Sequence, residues 1–154
     1  MKTLKIILGA FLTCAIFAFS SGGDQAPQKV KDAFTKKFPT AKKVKWDKKN
    51  ATEWEAEFKM NKTEYSANFL EDGTWTETEH EIDEREIPQN VKSSLMTEYS
   101  GYKIKVSELS ETKDGMLYEF EIKKGERMME ISVDSTGNIV KKEVIKENGE
   151  EDKD

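Results

Sequence analysis

The feature that most constrains the fold is a regular alternation of apolar and polar residues between Trp54 and Trp75. This stretch reads WEAEFKMNKTEYSANFLEDGTW, and the alternation breaks at Asn61-Lys62 and again at Asp72-Gly73. Successive side chains of a β-strand point to opposite faces, so a period of two predicts strands with one buried face and one open face. The two breaks carry turn-forming residues and predict short antiparallel hairpins.

The same pattern occurs twice along the chain. VKDAFTKKFP, beginning at Val30, matches VKSSLMTEYS, beginning at Val91, and the strands that follow match in the same order. A proline just ahead of each apolar-periodic segment, Pro27 or Pro88, suits the start of a helix. The predicted strands cover residues 43–47, 53–60, 64–70 and 75–82, then 103–109, 117–123, 127–134 and 139–145. We therefore predict an α+β protein of two tandem repeats, 27–86 and 87–146, each one helix packed on a four-stranded antiparallel sheet.

Each predicted repeat is thin, because one helix covers only one face of a small sheet. The predicted core of the first repeat consists of Trp54, Ala56, Phe58, Tyr65, Ala67 and Phe69. A unit of about 60 residues buries too little apolar surface to be more than marginally stable alone. We therefore expect the two units to pack together or to continue one sheet into the other.

The two ends of the chain predict an exported protein. Lys2 and Lys5 are followed by an apolar run from Ile6 to Phe19 and then by small residues, as in a secretory signal peptide, which we place at residues 1–20. The run is shorter than the roughly 20 residues of a membrane span, so no transmembrane segment is expected in the mature chain. We expect a periplasmic or secreted protein; lipid attachment at Cys14 is the alternative. Residues 147–154 are charged and predict a disordered acidic tail.

The charge of the chain argues against nucleic acid as a partner. The sequence has 25 basic and 30 acidic residues, and removal of residues 1–20 takes away Lys2 and Lys5, which leaves 23 against 30. A net charge of −7 repels the phosphate backbone. We expect the partner to be a protein or a peptide. The sequence reveals neither the identity of this partner nor the oligomeric state of the chain.

The open face of the first predicted sheet is the candidate partner-binding surface. The candidate residues are Glu55, Glu57, Ser66, Trp75, Glu77 and Glu79. Trp75 has two alternative placements: it stands on the open face beside the glutamates, or a β-bulge turns it into the core. Tryptophan is over-represented among interface hot spots, which favours a binding surface. In the competing interpretation Trp75 packs between the units and the glutamates only solvate the sheet.

No motif in the sequence indicates catalysis. His80 is the only histidine, and its neighbours Glu79 and Glu81 point to the opposite face of the predicted strand. The many carboxylates could collect Ca²⁺, but no loop has the D-x-D-x-D-G ligand spacing. We therefore predict a protein that is not an enzyme, with no catalytic, cofactor-binding or metal-binding residues and no cofactor. Binding of a small ligand or of Ca²⁺ in the cell envelope is the alternative function.

The segments VKDAFTKKFPTAKKVKWDKKNATEWEAEFKMNKTEYSANFLEDGTWTETEHEI and IPQNVKSSLMTEYSGYKI resemble the PepSY-like, beta-lactamase-inhibitor-like family of exported bacterial proteins. The most specific pieces are Phe38-Pro39, Val44-x-Trp46, the Glu55 to Phe58 hairpin and Asp72 to Trp75. Lys62 departs from the glycine expected in that turn. The resemblance implies a tandem α+β architecture, a periplasmic or surface location and no known enzymatic activity. It implies an inhibitor-like shape but no binding residues that could be transferred to this chain.

Overall fold

The computed structural model describes residues 26–146, so the predicted signal peptide and the predicted acidic tail lie outside the described residues. The elements follow one another as α1 Gln28–Lys37, β1 Lys42–Lys48, β2 Glu53–Met60, β3 Thr63–Leu70, β4 Trp75–Glu81, a 3₁₀ turn Glu84–Glu86, α2 Gln89–Glu98, β5 Lys103–Thr112, β6 Gly115–Lys124, β7 Arg127–Asp134 and β8 Ile139–Lys146. No helix in this part of the chain has the length and apolar character needed to cross a membrane.

The strands form one eight-stranded antiparallel sheet in the order β1 to β8. The predicted fold class, two tandem repeats that each consist of one helix packed on a four-stranded antiparallel sheet, is therefore wrong, and of the two expected arrangements of the units the continuous sheet is the one observed. The join lies between β4 and β5, which pair from Glu77 opposite Thr112 to Glu81 opposite Glu108. Two separate sheets would leave the backbone groups of both strands unpaired at exposed edges, and this pairing removes those edges.

Both helices lie on one face of the sheet, and each covers its own apolar cluster. Under α1, Phe34 packs edge-on against Phe58 at 5.0 Å and against Trp46 at 5.3 Å between ring centroids. Under α2, Val91 and Leu95 are fully buried with the apolar side chains of β6 and β7. The period-two pattern explains this arrangement, because alternate residues of each strand reach the helix side and the others are excluded from it.

The turn between β3 and β4 requires a glycine at position 73, because α1 passes close to it. Gly73 has a φ of +89°, and a Cβ atom there would lie 2.9 Å from the carbonyl oxygen of Lys29 in α1. We expect Gly73→Ala to lower the free energy of unfolding by about 1–3 kcal/mol more than Gly125→Ala does, because only at position 73 does the added Cβ clash with α1. Urea denaturation measures this difference. Gly125→Ala is the matched control, because Gly125 also has a positive φ of +62° but no atom within 4 Å; an equal loss in both variants would show that contact with α1 contributes nothing.

Candidate functional site

The face of the sheet opposite the helices carries a band of carboxylates, which we call the carboxylate face. Strand pairing fixes its members: Asn68 lies opposite both Glu55 and Glu77, Ser66 opposite both Glu57 and Glu79. From β4 to β8 it also includes Glu81, Glu108, Ser110, Glu119, Glu121, Glu130, Ser132, Lys141 and Glu143. Of the sequence-predicted site residues, Glu55, Ser66, Glu77 and Glu79 are buried here and Glu57 is half-buried.

Trp75 does not lie on the carboxylate face. A β-bulge shifts the pairing of β3 and β4 so that Trp75 lies opposite Phe69, although Glu77 lies opposite Asn68. The indole is half-buried against the α1 cluster, with the Lys37 ammonium 3.7 Å from its ring centroid. Its Nε1–H donates a hydrogen bond of 2.8 Å to Thr78 Oγ1. Of the two placements left open by the sequence, the bulge is therefore the one observed.

Lysines occupy both ends of the carboxylate face. At the β1–β2 end, Lys49 Nζ lies 3.6 Å from Glu55 Oε1. At the β8 end, Lys141 Nζ lies 2.6 Å from Glu130 Oε1 and 3.2 Å from Glu143 Oε2. Buried carboxylates are stabilised when a cation compensates their lost hydration, so these two ends are balanced by the chain itself.

The middle of the face holds three carboxylates without such a partner. Glu77, Glu79 and Glu119 each place one carboxylate oxygen within 4.8 Å of the other two. None of the ion pairs between described residues involves them. Adjacent strands are about 4.8 Å apart, so residues of β4 and β6 approach this closely only because little stands between them on β5. The β5 residue opposite Glu79 is Ser110, whose side chain is short and fully buried, and Glu119 lies opposite Glu108, the neighbouring β5 residue on this face.

A serine hydroxyl orients one oxygen of each central glutamate. Ser110 Oγ donates to Glu77 Oε1 at 2.5 Å. Ser66 Oγ donates to Glu79 Oε2 and Ser132 Oγ donates to Glu119 Oε1, both at 3.3 Å. Hydrogen bonds from hydroxyls hold the carboxylates in place but supply no positive charge.

Apart from Glu55 Oε1, which faces Lys49 Nζ at 3.6 Å, two buried oxygens on this face have no hydrogen-bond partner. They are Glu119 Oε2 and Asn68 Oδ1, and the two residues are only 4% and 1% exposed. Asn68 lies directly opposite Glu77 on β3. An unsatisfied buried acceptor is costly and rare in native proteins, so both oxygens are available to accept from a water or a partner, or to bind a cation.

Burial and mutual repulsion perturb the acidity of the central glutamates. The pKa of Glu79 is raised, first by burial and then by the neighbouring charges of Glu77 and Glu119. The pKa of Glu119 is also raised, by burial and by Glu77. Burial, with Glu81 and Glu121, raises the pKa of Glu108 from 4.5 to about 7. Without a nearby cation, the face therefore retains protons that exposed glutamates release.

The sequence pattern of a family described as "Putative beta-lactamase-inhibitor-like, PepSY-like" matches residues 52–141. The chain belongs to the PepSY-like family. This agrees with the resemblance found in the sequence, and the match includes the central carboxylates of the site. No curated protein matches the chain.

Solved structures share the fold of this PepSY-like chain. A BLIP-like protein from Bacteroides fragilis is 18% identical with a TM-score of 0.71, over 84% of this chain and 93% of that one. A DUF2874 family protein from Bacteroides uniformis is 22% identical with a TM-score of 0.72, over 79% and 91%. One of the "putative periplasmic proteins" from Bacteroides eggerthii is 20% identical with a TM-score of 0.71, over 79% and 90%. At these identities the likeness establishes the fold alone.

His80 of the PepSY-like chain lies apart from the carboxylates. Its ring packs on Tyr65 with 4.8 Å between centroids, and burial lowers its pKa. A general base needs a positioned partner within hydrogen-bond reach. No hydrogen bond from the His80 ring to a described side chain is present.

Sequence reasoning missed three acidic residues of this PepSY-like face: Glu108, Glu119 and Glu130. The missed signal was the alternation LYEFEI from Leu117 to Ile122, where Glu119 and Glu121 occupy the open register as Glu55 and Glu57 do in β2. Because the sequence left open whether one sheet continues into the other, no prediction brought β4 and β6 together.

Proposed function

We propose that this PepSY-like protein is a non-enzymatic binding module of the periplasm and that its carboxylate face receives a protein or peptide partner. One observation supports the proposal above all: polar and acidic side chains are buried on a sheet face that neither helix covers. A sheet face with no function beyond solvation would expose its glutamates to water, where they are most stable. The description of a structural neighbour as periplasmic supports the location.

The chemistry of the face favours a partner segment that carries lysine or arginine. Lys49 and Lys141 already place ammonium groups against Glu55 and Glu130, so the face accommodates long cationic side chains at both ends. A partner would add cationic side chains beside carboxylates of this face that stay accessible, such as Glu57, whose side chain is 44% exposed. Complementary charge also speeds association and excludes acidic competitors. Trp75 is outside the proposed contact surface, because its ring packs on the helix side.

Binding of a fluorescently labelled lysine-rich peptide, followed by anisotropy at 150 mM salt, tests the proposal. Glu57→Lys reverses a charge on the carboxylate face, and Glu71→Lys reverses one in the β3–β4 turn. The two glutamates are well matched, since their side chains are 44% and 52% exposed and each lies near one lysine, at 4.0 and 3.8 Å. A reversal replaces an attraction with a repulsion, each worth up to about 1 kcal/mol. We therefore expect Glu57→Lys to weaken binding about tenfold.

Glu71→Lys is expected to stay within about twofold of the wild type, because its charge is on another part of the surface and salt screens distant charges. Equal weakening in both variants would mean that the peptide responds only to net charge, and the proposal would then fail. A second candidate function, cation binding, is favoured by the central cluster of Glu77, Glu79 and Glu119.

A further inference from the structure

We infer that Glu77, Glu79 and Glu119 form a binding site for one divalent cation of the size of Ca²⁺. This inference does not depend on the peptide partner proposed above, because it concerns the protein alone. It assigns a role to the part of the carboxylate face that the chain's own lysines leave unbalanced. The spacing of the ligands, the unpartnered oxygens and the local charge support it independently.

The spacing of the three carboxylates suits one shared ion. Their nearest oxygens all lie within 4.8 Å of one another. Calcium binds oxygen at about 2.3–2.6 Å, so two oxygens on the same ion are separated by at most about 5 Å. Mg²⁺ instead requires near-ideal octahedral geometry and usually keeps several bound waters, which a buried group of three carboxylates suits less well. The cluster therefore accommodates the larger ion with little movement.

Unpartnered oxygens beside the cluster supply further ligands. Glu119 Oε2 is buried and accepts no hydrogen bond, so this carboxylate has an oxygen free in addition to the one oriented by Ser132. Asn68 is not acidic, and its buried Oδ1 is also unpartnered on the strand position opposite Glu77. Carboxylate and amide oxygens are ligands that Ca²⁺ prefers. A bound ion would satisfy acceptors that are otherwise costly to bury.

The charge of the cluster favours a divalent ion over the ammonium of a partner lysine. Three ionised carboxylates carry three negative charges; one lysine would leave two unbalanced, whereas a divalent cation leaves one. Lys49 lies near enough to lower the pKa of Glu79 in part, but its ion pair is with Glu55. Serine hydroxyls from β3, β5 and β7 then fix the carboxylates, as outer-shell hydrogen bonds do in metal sites.

Calorimetric titration of the purified protein with CaCl₂ in metal-depleted buffer tests the inference, with MgCl₂ as the comparison ion. We expect one Ca²⁺ per chain, bound more tightly than Mg²⁺. Glu119→Gln removes one charged ligand and is expected to weaken Ca²⁺ binding by about tenfold or more, since affinity follows the number of charged ligands. Glu121→Gln is the matched control, because Glu121 is half-buried on the same strand and face but outside the cluster.

Thermal melting without metal separates binding from folding. Glu119→Gln removes an ionisable carboxyl group from the buried cluster without changing its size, so its metal-free melting temperature should equal or exceed that of the wild type, while the Ca²⁺-induced increase is lost. Glu79→Gln is expected to behave in the same way. Absence of saturable Ca²⁺ binding, Mg²⁺ binding of equal strength, or equal weakening in Glu121→Gln would overturn the inference. The peptide assay with Glu57→Lys tests the partner separately.

Discussion

Phe69→Ala is expected to lower the free energy of unfolding by about 3–5 kcal/mol, because it removes a buried aromatic ring. Phe69 is fully buried at the centre of the α1 cluster. Its ring centroid lies 6.1 Å from that of Phe34 and 6.4 Å from that of Trp46. Alanine would leave a cavity between α1 and the sheet that these neighbours cannot close. Urea denaturation followed by tryptophan fluorescence measures the loss.

Phe120→Ala shows whether the two halves unfold together. Phe120 is fully buried in the α2 cluster, whereas all three tryptophans, Trp46, Trp54 and Trp75, belong to the α1 cluster. Because β4 and β5 join both halves in one sheet, we expect Phe120→Ala to lower the unfolding midpoint reported by tryptophan, with the same midpoint by circular dichroism. An unchanged tryptophan midpoint would contradict the continuous sheet as a cooperative unit.

The second large effect is a decrease in stability as the pH rises from 6.5 to 9 in metal-free buffer. The pKa values of Glu79, Glu119 and Glu108 are raised in the folded protein, that of Glu108 to about 7. Between 4.5 and these raised values, the folded chain holds protons that the unfolded chain has released. The stabilisation that these bound protons give the folded protein is therefore complete below pH 4.5, and it is lost as the pH rises through the pKa values of the folded state. Each such proton gives a slope of about 1.4 kcal/mol per pH unit.

The pH range starts at 6.5 because His80 changes the stability in the opposite direction below that value. His80 has a lowered pKa, so below 6.5 the unfolded chain takes up a proton there and stability rises with pH. Above pH 6.5 the carboxyl groups with raised pKa values therefore dominate the pH dependence of stability. The charged groups that influence Glu79 and Glu119 are Glu77, Glu108, Glu130 and Lys49.

Urea denaturation at several pH values measures the slope, and Glu79→Gln should reduce it. Glu64→Gln is the control: this residue is fully exposed, and its hydrogen bond with Lys59 lowers its pKa, so it lies outside the window. A slope that Glu79→Gln leaves unchanged would show that Glu79 does not hold a proton in the folded state.

The sequence was sufficient to predict individual strands and helices. Trp54, Ala56 and Phe58 reach the helix side because a strand alternates, and α1 and α2 begin directly after Pro27 and Pro88. These features depend on neighbours a few residues apart, which hydrophobic periodicity records.

The pairing of β4 with β5 and the β-bulge before Glu77 depend on contacts between strands, which hydrophobic periodicity along the chain does not record. The pairing of β4 with β5 crosses the α2 connection, and alternation within a strand says nothing about which strand lies at its edge. The bulge near Thr76 shifts the register by one residue, which moves Trp75 to the opposite face from Glu77. The site was missed for the same reason, since Glu119 joins Glu77 and Glu79 only when β6 lies two strands from β4 in one sheet.

A carbon-13 NMR titration of the glutamate side-chain carboxyls, in metal-free protein, tests most directly whether the centre of this face is a buried cluster without its own cation. We predict that Glu79 and Glu119 titrate well above 4.5, that Glu64 titrates below it, and that Ca²⁺ moves the first two downwards. Titration of Glu79 and Glu119 near 4.5 in the absence of metal would contradict the account.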